Sequence, residues 1–211
     1  LKKGFFEKGS VLTCFDLRCI YKKISACSPY ETFQNLLKIS YFASMKVGLL
    51  SDTHGYLDPS IFDYFKDCDE IWHAGDVGNV ALLETLENFK PLRAVFGNID
   101  GHDIRIRTQE TALISCGGMR IMMAHIAGKP PSFTKNIRAL LVAKQPNILV
   151  CGHSHILKVI FDKKYNILYL NPGAAGKHGF HKVKTLLRFD IEQGKIFNME
   201  VIEIGPRATQ K

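Results

Sequence analysis

Residues 45–54, Met-Lys-Val-Gly-Leu-Leu-Ser-Asp-Thr-His, join a continuous apolar run to an Asp-x-His triplet. The run from Lys46 to Ser51 predicts a buried strand, which places Asp52, Thr53 and His54 at its carboxyl end. In a parallel α/β sheet the carboxyl ends of the strands open onto one crevice, so residues far apart in sequence can meet there.

The same arrangement recurs on either side of two predicted helices. Asp58-Pro59 supplies a cap and first turn for a helix over Ser60 to Lys66, and Asn79 caps another through Glu87. Glu70 to Ala74 predicts a second strand that runs into Gly75-Asp76, and Pro91 to Phe96 a third that runs into Gly97-Asn98. The resulting β-α-β-α-β order predicts a parallel sheet. After Gly101 the pattern changes to hairpins. Thr111 to Cys116 and Arg120 to Ala124 flank Gly117-Gly118, a pair suited to a tight primed turn. Ser132 is expected to cap a helix to Ala143, and Asn147 to Cys151 to form a further apolar strand. Lys158 to Asp162 with Ile167 to Leu170, and Lys184 to Asp190 with Lys195 to Ile204, predict two more hairpins. Two packed sheets with helices outside would bury all of these segments, giving one α/β (α+β) domain.

Five clusters at these strand ends carry metal-ligand chemistry: Asp52-Thr53-His54, Gly75-Asp76, Gly97-Asn98, His125 and Gly152-His153-Ser154-His155. Alone, Asp-x-His is more often a turn or cap, and Gly-Asp and Gly-Asn are common turn dipeptides. Gly-His-Ser-His after an apolar strand is the strongest single signal. The ordered set supplies ligands for two divalent ions: Asp52, His54, Asp76 and His155 for the first, and Asp76, Asn98, His125 and His153 for the second, with Asp76 as the bridge. Carboxylate, imidazole and amide oxygen suit Mn²⁺ first, with Fe, Zn²⁺ or Ni²⁺ as alternatives. Such a pair polarises a phosphoryl oxygen and generates a bridging hydroxide near neutral pH. The glycines are expected to allow sharp turns and close backbone approach.

Composition restricts the remaining possibilities. Lys and Arg number 28 against 20 Asp and Glu, but residues 1–44 hold 7 basic and 3 acidic, so the rest of the chain carries only +4. No basic stripe gathers on one helix, so nucleic acid is not an expected partner. No apolar run approaches the ~18 residues of a membrane helix, so no membrane association is expected. Six cysteines without a C-x-x-C fit reduced thiols in a cytoplasmic protein. Met45 is the first methionine, and residues 1–44 lack a clear period. They are expected to be an N-terminal extension, flexible or not native, ahead of a domain over residues 45–211.

The ordered clusters, followed by Asn171-Pro172-Gly173, resemble the calcineurin-like metallophosphoesterase superfamily, particularly its small prokaryotic phosphodiesterase branch. The resemblance covers Met45 to about Ile204. It implies a four-layer αββα sandwich of two mixed sheets flanked by helices, a dinuclear metal site at strand ends, and the ligand division given above. It further implies a metal-dependent phosphoesterase, foremost a phosphodiesterase, acting on a small phosphodiester or phosphomonoester. One relative serves as a retromer scaffold, so a noncatalytic protein-interaction scaffold is the alternative; self-association is compatible with either.

The chain departs from the family pattern at two places. Ile99-Asp100 replaces the histidine that many members carry after Gly-Asn, and Ile126-Ala127 separate His125 from Gly128. Asp100, His102, His178 and His181 are the candidates for the missing leaving-group acid. His102 ranks first because it follows Asn98 by four residues, so the expected catalytic set is Asp76, Asn98 and His102. Arg105, Lys129 and Lys177 are candidate phosphate contacts.

Overall fold

The computed structural model describes residues 44–207. The expectation for an N-terminal extension over residues 1–44 therefore lies outside the described residues, except for Ser44.

β1 (Met45–Leu50), β2 (Glu70–His73) and β3 (Leu92–Ala94) run parallel in the order β1-β2-β3. They are linked by helices α1 (Ser60–Phe65) and α2 (Val80–Phe89), as the sequence predicts. The Asn79 side chain accepts the Leu82 N–H at 2.8 Å, and the Asp58 carboxylate accepts the Ser60 N–H at 3.1 Å. The last hairpin, β11 (Val183–Glu192) and β12 (Lys195–Pro206), completes this sheet by pairing β11 antiparallel with β1. Sheet one is therefore mixed, in the order β12-β11-β1-β2-β3.

A second mixed sheet takes β4 (Thr111–Cys116), β5 (Met119–Ala124), β8 (Ile148–Val150), β9 (Leu157–Asp162) and β10 (Ile167–Pro172), in the order β4-β5-β8-β10-β9. The β4–β5 turn uses Gly117 at φ 51° and Gly118 at φ 81°, the positive pair that a primed turn requires. Ser132 does not cap a helix. It belongs to a two-stranded ribbon of β6 (Gly128–Lys129) and β7 (Ser132–Phe133). Thr134 is the cap of helix α4 (Lys135–Lys144), its hydroxyl oxygen accepting the Ile137 N–H. The sequence around Ser132 offers two β-hydroxyl residues, and ribbon pairing of the first leaves the second at the helix start. A one-turn helix, α3 (His102–Arg105), precedes β4.

Alternation along the strands builds three apolar layers. Val47, Leu49, Trp72, Leu187 and Phe189 face Ile121, Met123, Ile148, Val150 and Leu170, joining the two sheets. Leu50, Ile71 and Leu186 point the other way, onto Ile61 and Phe65 of α1 and Leu82, Leu83 and Leu86 of α2. On the far side, Met122, Leu149, Ile167 and Tyr169 meet Ile137 and Leu141 of α4. Helix, sheet, sheet, helix is the resulting order, the αββα sandwich implied by the resemblance. Fully burying a Leu, Ile or Val contributes about 1.5–3 kcal/mol, so these layers are the main force holding the strand ends in place.

Candidate metal centre

Each expected ligand sits just beyond a strand: Asp52 after β1, Asp76 after β2, Asn98 after β3, His125 after β5, and His153 and His155 after β8. Backbone hydrogen bonds tie these loops together. Asp52 N–H donates to Gly75 O at 3.0 Å, His54 N–H to Asp76 O at 3.0 Å and Gly55 N–H to Val77 O at 2.8 Å. Across the sheets, Gly152 N–H donates to His125 O at 3.1 Å, and the His153 N–H donates to the Asp52 carboxylate.

Nine non-glycine residues have positive φ among the described residues, and Asp52, His54, Asp76, His153 and His155 are five of them. Of the others, Gln145 ends α4, and Asn166 and Gln193 lie in hairpin turns. Holding a non-glycine residue in the left-handed region costs on the order of 1 kcal/mol or more, and such strain concentrates at functional sites. The glycines divide their duties differently from expectation. Gly75 does adopt a positive φ, 95°, whereas Gly97 and Gly152 are needed for space. A Cβ on Gly97 would lie 1.9 Å from Asp76 Oδ1, and one on Gly152 would lie 2.0 Å from Ser51 Oγ.

The side chains converge as two groups. Asp52, His54 and His155 place one ligand atom each within 4.8 Å of one another, and so do Asp76, His125 and His153. Asp76 joins them: its Oδ1 is 3.2 Å from His125 Nε2 and its Oδ2 3.7 Å from His54 Nε2. Asn98 Oδ1 also lies 3.2 Å from His125 Nε2, and Asp52 Oδ1 3.2 Å from His155 Nε2. Asp52, Asp76 and His125 are buried, His54 and His155 partly so, and Asn98 and His153 exposed, so the centre opens to solvent on one side.

This donor set fits divalent cations. His125 Nδ1–H donates to Ala74 O at 2.8 Å, which leaves Nε2 as the atom directed at Asp76 and Asn98. An imidazole locked through its other nitrogen in this way is the usual form of a metal-ligating histidine. The Nε2 atoms of His54 and His155 face each other at 3.3 Å, both turned toward the Asp52 and Asp76 carboxylates. Among the described residues no cysteine belongs to either ligand group. Cys68, Cys116 and Cys151 are free and buried, and burial pushes their thiols up to about 11, 11 and 12 respectively.

The charges respond to the same packing. Burial is the largest influence on His54 and lowers it despite the neighbouring Asp76 and Asp52. Burial pulls His125 down and Asp76 up, but their mutual hydrogen bond and other nearby groups outweigh it, leaving His125 raised and Asp76 lowered.

Three residues hold this centre from behind, in roles the sequence reading did not give them. His73, fully buried at the end of β2, accepts the Gly75 N–H on Nδ1 at 3.2 Å and pairs through Nε2 with Thr53 Oγ1 at 2.9 Å. Burial pushes its pKa down to about 4. Its position, as the polar residue that follows Ile71-Trp72 and leads into Gly75-Asp76, was the available signal. Asp100, a candidate acid in the sequence, has a carboxylate that accepts the N–H groups of Val77, Gly78 and Gly97 at 3.1, 2.8 and 2.8 Å. It clamps the Asp76 loop to the Asn98 loop. Asn171, fully buried, likewise donates to Gly152 O at 2.8 Å and to Ser154 Oγ at 3.1 Å, supporting the His153–His155 turn.

Of the remaining candidates, two pack on the first ligand group and the others lie apart from it. His102 is exposed at the first position of α3, outside both ligand groups. His178 stacks near His54, with ring centroids 5.0 Å apart, and His181 lies against His155 at 5.3 Å while its Nε2–H donates to Gly176 O. Lys177 rests over the Tyr56 ring, Lys129 is exposed on β6, and Arg105 lines a cleft beside Asn98.

Residues 45–194 match the family model described as the calcineurin-like phosphoesterase superfamily domain. A probable metallophosphoesterase of Methanothermobacter thermautotrophicus is 30% identical over 135 residues, covering 62% of this chain and 77% of that protein. Among solved structures, one titled as a novel archaeal phosphodiesterase superposes with a TM-score of 0.59 at 19% identity, covering 75% of this chain and all of that one. Vps29 of Chaetomium thermophilum superposes with a TM-score of 0.61 at 16% identity, covering 76% of this chain and 97% of the other. At such identities the two structures speak for the fold alone.

Proposed function

The chain belongs to the calcineurin-like phosphoesterase superfamily, and from that premise we propose that it is a metal-dependent phosphodiesterase acting on a small phosphate ester. The observation that carries this reading is the Asp76 carboxylate, whose two oxygens face His125 of one group and His54 of the other.

In this reading Asp52, His54, Asp76 and His155 hold one divalent ion, and Asp76, Asn98, His125 and His153 hold the second, with Mn²⁺ the first choice for both. A bound pair of such ions supplies Lewis-acid polarisation of a phosphoryl oxygen and acidifies water near neutral pH. The protein's own contribution is positional. Asp100 fixes the loop that carries Asn98, and the Ala74 carbonyl fixes the His125 ring. Exposed Asn98 and His153 leave one face of the centre accessible to a phosphoester. His102, beside that loop and exposed, is the proposed source of a leaving-group proton.

We place the activity in one domain over residues 45–211, a boundary supported by the family match over residues 45–194. The free thiols at Cys68, Cys116 and Cys151 support a reducing, cytoplasmic setting. No helix among the described residues is long and apolar enough to cross a membrane. The structural likeness to Vps29 is what supports the alternative, a protein-interaction scaffold.

The deciding experiment is hydrolysis of bis(p-nitrophenyl) phosphate by metal-stripped protein reloaded with Mn²⁺, Zn²⁺, Fe²⁺ or Ni²⁺. Turnover that appears only with metal supports the phosphodiesterase. Tight binding of metal without turnover on any phosphate ester supports the scaffold.

A further inference from the structure

A cleft of 440 Å³ opens directly beside the second ligand group, with Asn98 and His125 on its wall. Its other walls come from both sheets and two helices: Phe96 beyond β3, Arg105 on α3, Ile126 beyond β5, and Asn136, Ile137 and Leu140 from α4 or its first turn. Metal ligands do not require such a lining. A phosphate group needs donors and cations, whereas Phe96, Ile126 and Leu140 offer apolar surface. Ile126 is 45% exposed at the rim of the cleft.

Arg105 is fixed in position on this wall. Its Nε–H donates to Asp100 O at 2.7 Å, Nη2–H donates to Gly97 O at 3.1 Å, and its guanidinium lies 4.4 Å from the Phe96 ring centroid. Anchored at both nitrogens and stacked on a ring, it keeps its orientation without a ligand, and Nη1 has no partner among the described residues. A preorganised planar cation beside apolar side chains, the Glu110 carboxylate and the Asn136 amide is suited to a flat organic group with hydrogen-bond donors and acceptors. The volume lies in the range of small-molecule sites of roughly 300–1,000 Å³ and is too small for a duplex or a folded partner.

We propose that this cleft seats one organic arm of the phosphodiester, an aromatic group of nucleoside size, while the phosphorus lies at the metal ligands. The assignment rests on the phosphodiesterase reading for its substrate class.

The test is calorimetric binding of adenosine 5′-monophosphate, phenyl phosphate and inorganic phosphate to Mn²⁺-loaded full-length protein, with its metal content measured in parallel. The wild type is expected to bind both organic phosphates about tenfold or more tighter than inorganic phosphate. Leu140→Trp fills the cleft from α4 and is expected to bring the three affinities within about threefold, with affinity for inorganic phosphate and metal content unchanged. Asn136→Trp, at an exposed position of the same helix, gives the same readout should Leu140→Trp fail to fold. Equal affinities in the wild type, or selectivity that survives both variants, would overturn the cleft assignment even in an active phosphodiesterase. Selective binding that both variants abolish, in a protein inert toward all phosphodiesters, would uphold the cleft and remove the phosphodiesterase reading.

Discussion

Asp76 Oδ1 stands 3.2 Å from His125 Nε2 while the other oxygen of the same carboxylate turns toward His54. One carboxylate of the second ligand group thus faces a histidine of the first, from a left-handed backbone at φ 55°. Asp76→Ala is expected to remove the second metal, weaken the first and lower kcat/KM on an aryl phosphodiester by roughly 100-fold or more. Metal analysis of the purified, folded variant together with its kinetics checks this. Two retained metals and undiminished turnover would end the bridging assignment.

The Asp100 carboxylate holds three backbone N–H groups that flank Asp76 and Asn98. Removing it leaves buried donors unpaired, each costing about 1–3 kcal/mol. Asp100→Ala is therefore expected to destabilise the fold by about 3 kcal/mol or more in urea and to weaken metal affinity by roughly 10–100-fold. Asp100→Asn, which keeps one acceptor oxygen, should recover part of both. Wild-type stability in Asp100→Ala would show that water replaces the clamp.

His73 makes acid stability predictable. Its ordinary value of 6.5 falls to about 4 in the folded chain, first because it is fully buried. The unfolded chain therefore binds one more proton than the folded chain between these values. The stability contributed is complete above about pH 6.5 and is lost as the pH falls toward about 4, a swing of about 3 kcal/mol. Urea unfolding of metal-free protein at pH 7 and pH 4.5, for wild type and His73→Gln, isolates this residue. The wild type should lose more stability on acidification than the variant, and equal losses would refute the buried neutral imidazole.

His102 is exposed beside the loop that carries Asn98. As a proton source it should matter most when the leaving group is poor. His102→Ala is expected to lower turnover by roughly 100-fold on an alkyl phosphodiester, and less on a nitrophenyl ester, with metal content unchanged. Equal turnover of both substrates by variant and wild type would retire the role.

Much of the fold was legible because neighbours in sequence share a physical period. The apolar run after Met45, the Asn79 cap and the Gly117-Gly118 turn each state a local preference, and the structure honours all three. The ligand set was legible for a similar reason: Asp, His and Asn beside glycine at strand ends are chemically distinctive. Less could be read where two local choices were nearly equal. Ser132 and Thr134 are both good caps, and only the pairing of β6 with β7 decides between them. The partner of the last hairpin was equally hidden, since any strand of suitable apolar face would serve until burial against β1 selects one.

By itself, then, the sequence determined the period of each segment, the residue types at strand ends and hence the kind of ion those residues suit, because these depend on local geometry and donor chemistry. Only the tertiary structure decided that Asp100 clamps two loops, that His73 supports the centre from within, and that a cleft lined partly by α4 opens beside it. Those roles depend on which groups are shut away from water together. That is a property of two sheets packed face to face, and no single stretch of the chain carries it.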